Sequence, residues 1–131
     1  MNLAIYVVGG LTLTWAAYMG YLWLSTQAIR GRPLEDSLRR HLPELERHGE
    51  RALIYCYSAA CGPCRSMTPL VDRLREEGYP IVKADLGRNP ELAEALGVRA
   101  TPTLLLVERG QVQAAGLGAK TRRQILKLLQ A

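Results

Sequence analysis

The stretch Tyr57–Pro69, YSAACGPCRSMTP, sets two cysteines three positions apart around Gly-Pro. Such a pair can bind a metal, staple a fold or shuttle electrons, and the spacing alone does not choose among them. The choice depends on what lies on either side. Upstream, Ala52–Tyr57 (ALIYCY) is an apolar run rich in β-branched and aromatic residues, the pattern of a strand buried on both faces. Downstream, Met67, Leu70, Val71 and Leu74 recur at helical spacing until Gly78. Cys61 therefore falls at a strand-to-helix junction. There, backbone N–H groups and the helix dipole favour an anion, so a thiolate is stabilised. Cys64 lies one turn inside the same helix, placed to attack a disulfide formed at Cys61. Pro63 suits a first turn because its missing N–H removes no needed hydrogen bond.

The alternation of strand and helix continues to the end of the chain. Pro80–Leu86 (PIVKADL) reads as a second strand, and Asn89, Pro90 and Glu91 open a helix that carries Leu92, Ala95 and Leu96 and stops at Gly97. Thr103–Gly118 (TLLLVERGQVQAAGLG) reads as two strands joined by a turn at Arg109-Gly110, and Thr121 caps a closing helix with Ile125, Leu128 and Leu129 on one face. A helix joining two buried strands predicts a parallel pair, and the last hairpin adds antiparallel strands to the same sheet. The fold class is thus α/β, a central mixed sheet flanked by helices.

The N-terminal quarter is of another kind. No charged residue precedes Arg30, and Leu3–Leu24 is a run of 22 residues without Asp, Glu, Lys, Arg, His, Asn, Gln or Pro. A helix of about 20 such residues crosses the hydrocarbon core. Trp15, Tyr18, Tyr21 and Trp23 crowd towards its C-terminal half, where amphipathic rings favour the headgroup level. A cleaved signal peptide needs a basic leading segment, a shorter apolar core and a small-residue cleavage site. Only Met1 and Asn2 precede this run, so a transmembrane anchor is the expectation. Arg30, Arg32, Arg39 and Arg40 follow the helix, and that asymmetry leans towards a cytoplasmic domain, with the exported face as the alternative.

Ser25–Pro33 (STQAIRGRP) reads as a polar linker, and Leu34, Leu38, Leu42 and Leu45 then recur at helical spacing up to Gly49, with Pro43 dividing the segment. The organisation expected is an anchor and the start of a linker over 1–29, linker and amphipathic helix over 30–43, and a folded domain over 44–131. The net charge of +5 arises from 17 basic and 12 acidic residues, intermixed and without aromatic interleaving. That pattern argues against nucleic-acid binding. His41 and His48 stand among charged residues as surface groups. Cys56, on the buried strand, reads as a small core hydrophobe.

Several of these segments together resemble the thioredoxin family: CGPC at Cys61–Cys64 with Arg65 and Pro69 after it, Val82–Leu86 (VKADL), Asn89–Val112 (NPELAEALGVRATPTLLLVERGQV), and Gly118 before the last helix. The likeness covers about residues 44–131. It implies a thioredoxin-like fold and thiol–disulfide exchange by Cys61 and Cys64, supported by Gly62 and Pro63. It further implies a cis peptide bond at Pro102, and a substrate groove lined by Ala60, Ala100, Thr101, Pro102 and Gly118. No cofactor or metal is implied beyond the redox-active Cys61–Cys64 pair. The partners implied are a disulfide-containing protein and an electron donor, either a reductase or a membrane thiol carrier; the apolar N-terminal run adds the expectation of a single-pass protein of bacterial inner-membrane type.

The chain departs from the family pattern in places. Ala60 stands where an aromatic residue usually precedes the first cysteine. Tyr55 stands where a buried Asp usually assists proton transfer to the second, so Lys83, the usual companion of that Asp, is expected to contact Tyr55, Asp85 or water. The family's first strand is not apparent before Glu44. Two other classes remain open on the residues: a copper or other soft-metal module using both thiolates, and a non-catalytic interaction domain of the same fold.

Overall fold

The computed structural model describes residues 2–31, 40–49 and 51–130. In chain order the elements are α1 (Asn2–Gln27), α2 (Glu44–Arg47), β1 (Arg51–Tyr57), α3 (Gly62–Glu76), β2 (Ile81–Asp85), α4 (Pro90–Leu96), β3 (Thr103–Glu108), β4 (Gln111–Leu117) and α5 (Arg122–Leu129). The strands form one sheet in the order β2-β1-β3-β4. β1 and β2 pair in parallel, with Tyr55 beside Lys83, because α3 carries the chain back to the starting edge. β3 runs antiparallel to β1, with Cys56 opposite Thr103 and Arg51 opposite Glu108. β4 returns beside β3 through Arg109-Gly110, both at positive φ (53° and 77°), as a two-residue turn that matches strand twist requires.

Each face of the sheet carries its own apolar layer, as period-two strands demand. On one side Leu53, Tyr55, Leu104, Leu106 and Ala114 meet Met67, Val71 and Leu74 of α3 and Ile125 of α5. On the other, Ile54, Cys56, Val82, Ala84 and Leu105 meet Leu92 and Leu96 of α4, together with Ile29 and Leu42. The caps match the sequence signals. Gly97 closes α4 in the left-handed conformation (φ 73°), and Thr121 with Gln124 makes a reciprocal capping box at α5.

One expectation changes. Ser25–Gly31 is not a free polar linker: α1 runs on to Gln27, Thr26 and Ile29 are buried, and the Gly31 N–H donates to the Val112 carbonyl at 2.6 Å. The isoleucine in that polar stretch has an apolar layer to join, which outweighs its neighbours. α3 runs through Pro69 to Glu76, as the helical spacing of Met67, Leu70, Val71 and Leu74 predicts. In the 34–48 segment, Leu42 is buried and Leu45 half-buried, α2 begins after Pro43, and Leu34 and Leu38 lie outside the described residues.

Candidate active site

The site begins where β1 ends. Its last residue, Tyr57, leads through Ser58–Ala60 to Cys61, the N-cap of α3, with extended backbone (φ −80°, ψ 117°). An N-cap is ordinarily an oxygen that accepts an orphan N–H of the first turn. Here the Cys61 Sγ does so, accepting from the Cys64 N–H at 3.3 Å. Pro63 occupies the first turn, and the two sulfurs are joined as a disulfide across a Cα–Cα distance of 5.3 Å. Cys61 lies at the edge of burial while Cys64 is almost fully enclosed, so an approaching reagent meets Cys61 first. Gly62, Pro63, Ala59 and Ala60 are exposed around it.

The 100–102 segment arrives at the same end of the sheet. Thr103, paired with Cys56, follows a cis Thr101–Pro102 peptide bond. Pro102 is buried, its carbonyl accepts the Gly118 N–H at 2.9 Å, and the Thr103 hydroxyl donates to the Ala100 carbonyl at 2.6 Å. Ala100, Thr101 and Gly118 are half-buried, leaving backbone within reach of a partner chain.

Beneath the cysteines, Tyr55 is fully buried. Its hydroxyl lies 2.9 Å from Thr68 Oγ1 and donates to the Cys64 carbonyl at 3.3 Å. Burial, the largest cause, pushes the phenol pKa above its ordinary value, with the Thr68 hydrogen bond acting in the opposite sense. The neutral phenol is then a donor and not a base through the physiological range. Its ring stacks on Tyr57 with centroids 5.3 Å apart. Where the sequence predicts Lys83 against Tyr55, Asp85 or water, its Nζ instead pairs with Asp72 Oδ1 at 3.0 Å and sits 5.2 Å from the centre of the Tyr57 ring. Asp72 belongs to α3, and the packing of that helix over β1 and β2 brings in a carboxylate that the local sequence around Lys83 does not offer. Asp85 is occupied at the end of β2, accepting the Gly87 and Arg88 N–H groups.

Cys56 is fully buried on the opposite face from Tyr55, and desolvation pushes its thiol pKa up to about 12. It is inert where Cys61 is accessible. Among the described residues no group of three or more His, Cys, Asp or Glu side chains is placed to hold a metal ion.

A cysteine pair capping the helix that follows a central strand, with a cis-proline segment at the same sheet end, defines the thioredoxin-fold class of disulfide proteins. The comparisons with known proteins agree. The family model for thioredoxin matches residues 37–131, and the chain belongs to the thioredoxin family, a family of thiol–disulfide oxidoreductases. A thioredoxin of Listeria monocytogenes is 35% identical over 68 residues, covering 50% of this chain and 66% of that protein. Thioredoxin 2 of Chlorobaculum tepidum is 30% identical over 104 residues, covering 77% and 95% respectively. Among solved structures, a mutant thioredoxin from Halobacterium salinarum superposes with a TM-score of 0.60 at 30% identity, over 66% of this chain and 78% of that one.

Proposed function

We propose that the protein is a membrane-tethered protein-disulfide reductase. The Cys61 thiolate attacks one sulfur of a substrate disulfide, displacing the other as a thiolate and leaving a mixed disulfide. The Cys64 thiolate then attacks the Cys61 sulfur, releasing the second substrate thiol and closing the Cys61–Cys64 disulfide. Two electrons pass from the cysteine pair to the substrate, and an external thiol donor restores them. The cysteine pair is the whole redox carrier, so no cofactor enters the cycle. The observation that carries this reading is the Cys61 Sγ at the N-cap of α3, accepting the Cys64 N–H at 3.3 Å while Cys64 is enclosed behind it. That arrangement favours a thiolate at the accessible sulfur and keeps the resolving thiol one turn away. Pro102, Ala100, Thr101 and Gly118 would receive the extended substrate backbone. Ala60 removes an apolar rim contact and so shifts partner choice.

The tether rests on α1, which is long and apolar enough to cross a membrane and whose hydrophobic side chains up to Leu24 are largely exposed. The arginines that follow it favour a cytoplasmic domain. Full-length protein in detergent, given a dithiol donor, should reduce an interchain protein disulfide. Cys61→Ser should abolish turnover, and Cys64→Ser should stop at a mixed disulfide visible on non-reducing gels. Turnover that survives Cys61→Ser would overturn the assignment.

A further inference from the structure

The register of the sheet marks its two ends. Cys56, Thr103 and Leu117 line up at the end that bears Cys61 and Pro102, while Arg51, Glu108 and Gln111 line up at the other. The N-terminal segment touches the domain near both. At its lower limit Gly31 donates to the carbonyl of Val112, one residue from the far end of β4. Ten residues earlier, the Tyr21 ring lies 5.8 Å from the Arg99 guanidinium carbon, and Arg99 stands four residues before Thr103. Between these points Thr26 and Ile29 are buried, and Ser25, Ala28 and Ile29 line a small cleft with Gly97 and Arg99. The chain therefore descends along the domain from the cysteine end to the far end. The exposed part of α1, before Tyr21, projects past the cysteine end.

We infer that the domain holds its Cys61–Pro102 groove against the bilayer surface, and that its exchange partner is a cysteine pair at the headgroup level of an integral membrane protein. This rests on reading α1 as membrane-spanning. Leu3 to Gly20 at 1.5 Å per residue spans about 27 Å, close to the hydrocarbon thickness of about 30 Å. Tyr21 and Trp23 then mark the interface, where such rings settle. Arg99 is fixed to that level by its contact with Tyr21. Ala100, Thr101 and Pro102 follow Arg99 by one to three residues, so no more than about 11 Å of chain separates them from its Cα. The gap between groove and membrane is thinner than a folded domain. A disulfide inside a soluble globular protein is kept out of it, whereas a juxtamembrane pair already lies there. The small exposed side chains Ala59 and Ala60 keep the rim beside Cys61 low enough for that approach.

Two measurements on full-length protein in phosphatidylcholine–phosphatidylglycerol vesicles test this. In the first, Cys56, Cys61 and Cys64 are changed to Ser, a fluorophore is attached through Ala60→Cys or Gln111→Cys, and quenching by a headgroup-borne quencher is compared. The two positions lie at opposite sheet ends, about 17–20 Å apart along the strands. Several-fold stronger quenching at position 60 is expected; equal quenching, or stronger quenching at 111, overturns the orientation. Flotation after an alkaline wash is scored beforehand: protein that washes off refutes the spanning reading itself, a different failure. In the second, the unaltered protein, supplied with a soluble dithiol as electron donor, reduces disulfide peptides anchored in the same vesicles. One carries its cysteines directly beside the anchor, and the other carries them beyond a roughly 40-residue Gly/Ser linker that reaches about 35 Å. The short peptide should be reduced about 10-fold faster, because only its disulfide is concentrated at groove height. Equal rates, or a faster long-linker peptide, overturn the proposed partner.

Discussion

Replacing Tyr55 with Phe separates the two things a buried phenol could do under a cysteine pair, packing and proton chemistry. The ring itself is kept by the change, so its stack on Tyr57 and its place in the apolar layer that includes Met67 and Val71 persist. What disappears is one hydroxyl that donates to the Cys64 carbonyl at 3.3 Å and meets Thr68 Oγ1 at 2.9 Å. A net hydrogen bond is worth about 1 kcal/mol. Thr68 is half-buried, so its hydroxyl regains a partner in water, and the expected loss is about 1–1.5 kcal/mol. That lowers the melting temperature by roughly 4–8 °C per kcal/mol for a domain of this size. Tyr55→Ala, which also empties the ring volume, should cost about 3–5 kcal/mol. Both tryptophans, Trp15 and Trp23, lie in α1, so unfolding of the domain is followed by far-ultraviolet circular dichroism and not by tryptophan emission. Because burial holds the phenol protonated, it cannot take the Cys64 proton near neutral pH, and Tyr55→Phe should reduce disulfides within about 3-fold of the parent rate. A fall in rate of about 10-fold or more with an unchanged unfolding midpoint would refute this reasoning and assign the hydroxyl to the chemistry.

Cys56 has its folded pKa raised from 9.0 to about 12, so its contribution to stability is complete below pH 9 and is lost as pH rises towards 12. That difference corresponds to at most about 4 kcal/mol, and Cys56→Ala should remove its share of the alkaline slope in urea unfolding followed from about pH 8 to about pH 11; an unchanged slope would refute it. Ile29 is buried against the same apolar layer although it follows the membrane helix, and Ile29→Ala should destabilise the domain by about 2–3 kcal/mol, read as a lower urea midpoint. No change would mean that the segment is a tether only.

The parts of the fold governed by short-range rules were legible in the amino-acid pattern. The strand before the cysteines, the Arg109-Gly110 turn, the Gly97 stop and the Thr121 cap each depend on a few neighbouring residues, and each stands where those residues predict. β2 begins at Ile81 and not at Pro80, since proline has no N–H for the ladder. What escaped the pattern were contacts made across the fold. Lys83 meets Asp72 only because α3 lies over β1 and β2, and nothing in their sequence separation announces it. Ile29 looked like one apolar residue in a polar linker, and its burial depends on where α1 comes down. The cysteine pair was readable because strand, helix start and Gly-Pro spacer all converge on it. The hydroxyl network from Tyr55 to Thr68 needed the register of a buried strand against a helix.

In the proposed cycle the sulfur that caps α3 is also the atom whose charge changes during turnover, and this ties two quantities into one thermodynamic cycle. A thiolate at Cys61 accepts the Cys64 N–H more strongly than a disulfide sulfur does, so reduction tightens the first turn of the helix. Reciprocity then requires that anything firming that turn draw the pair towards its dithiol form by the same free energy, and anything fraying it make the pair a stronger donor. On the proposed cycle, a partner that firms or frays that turn would shift the balance between dithiol and disulfide through the backbone alone, before any sulfur is touched.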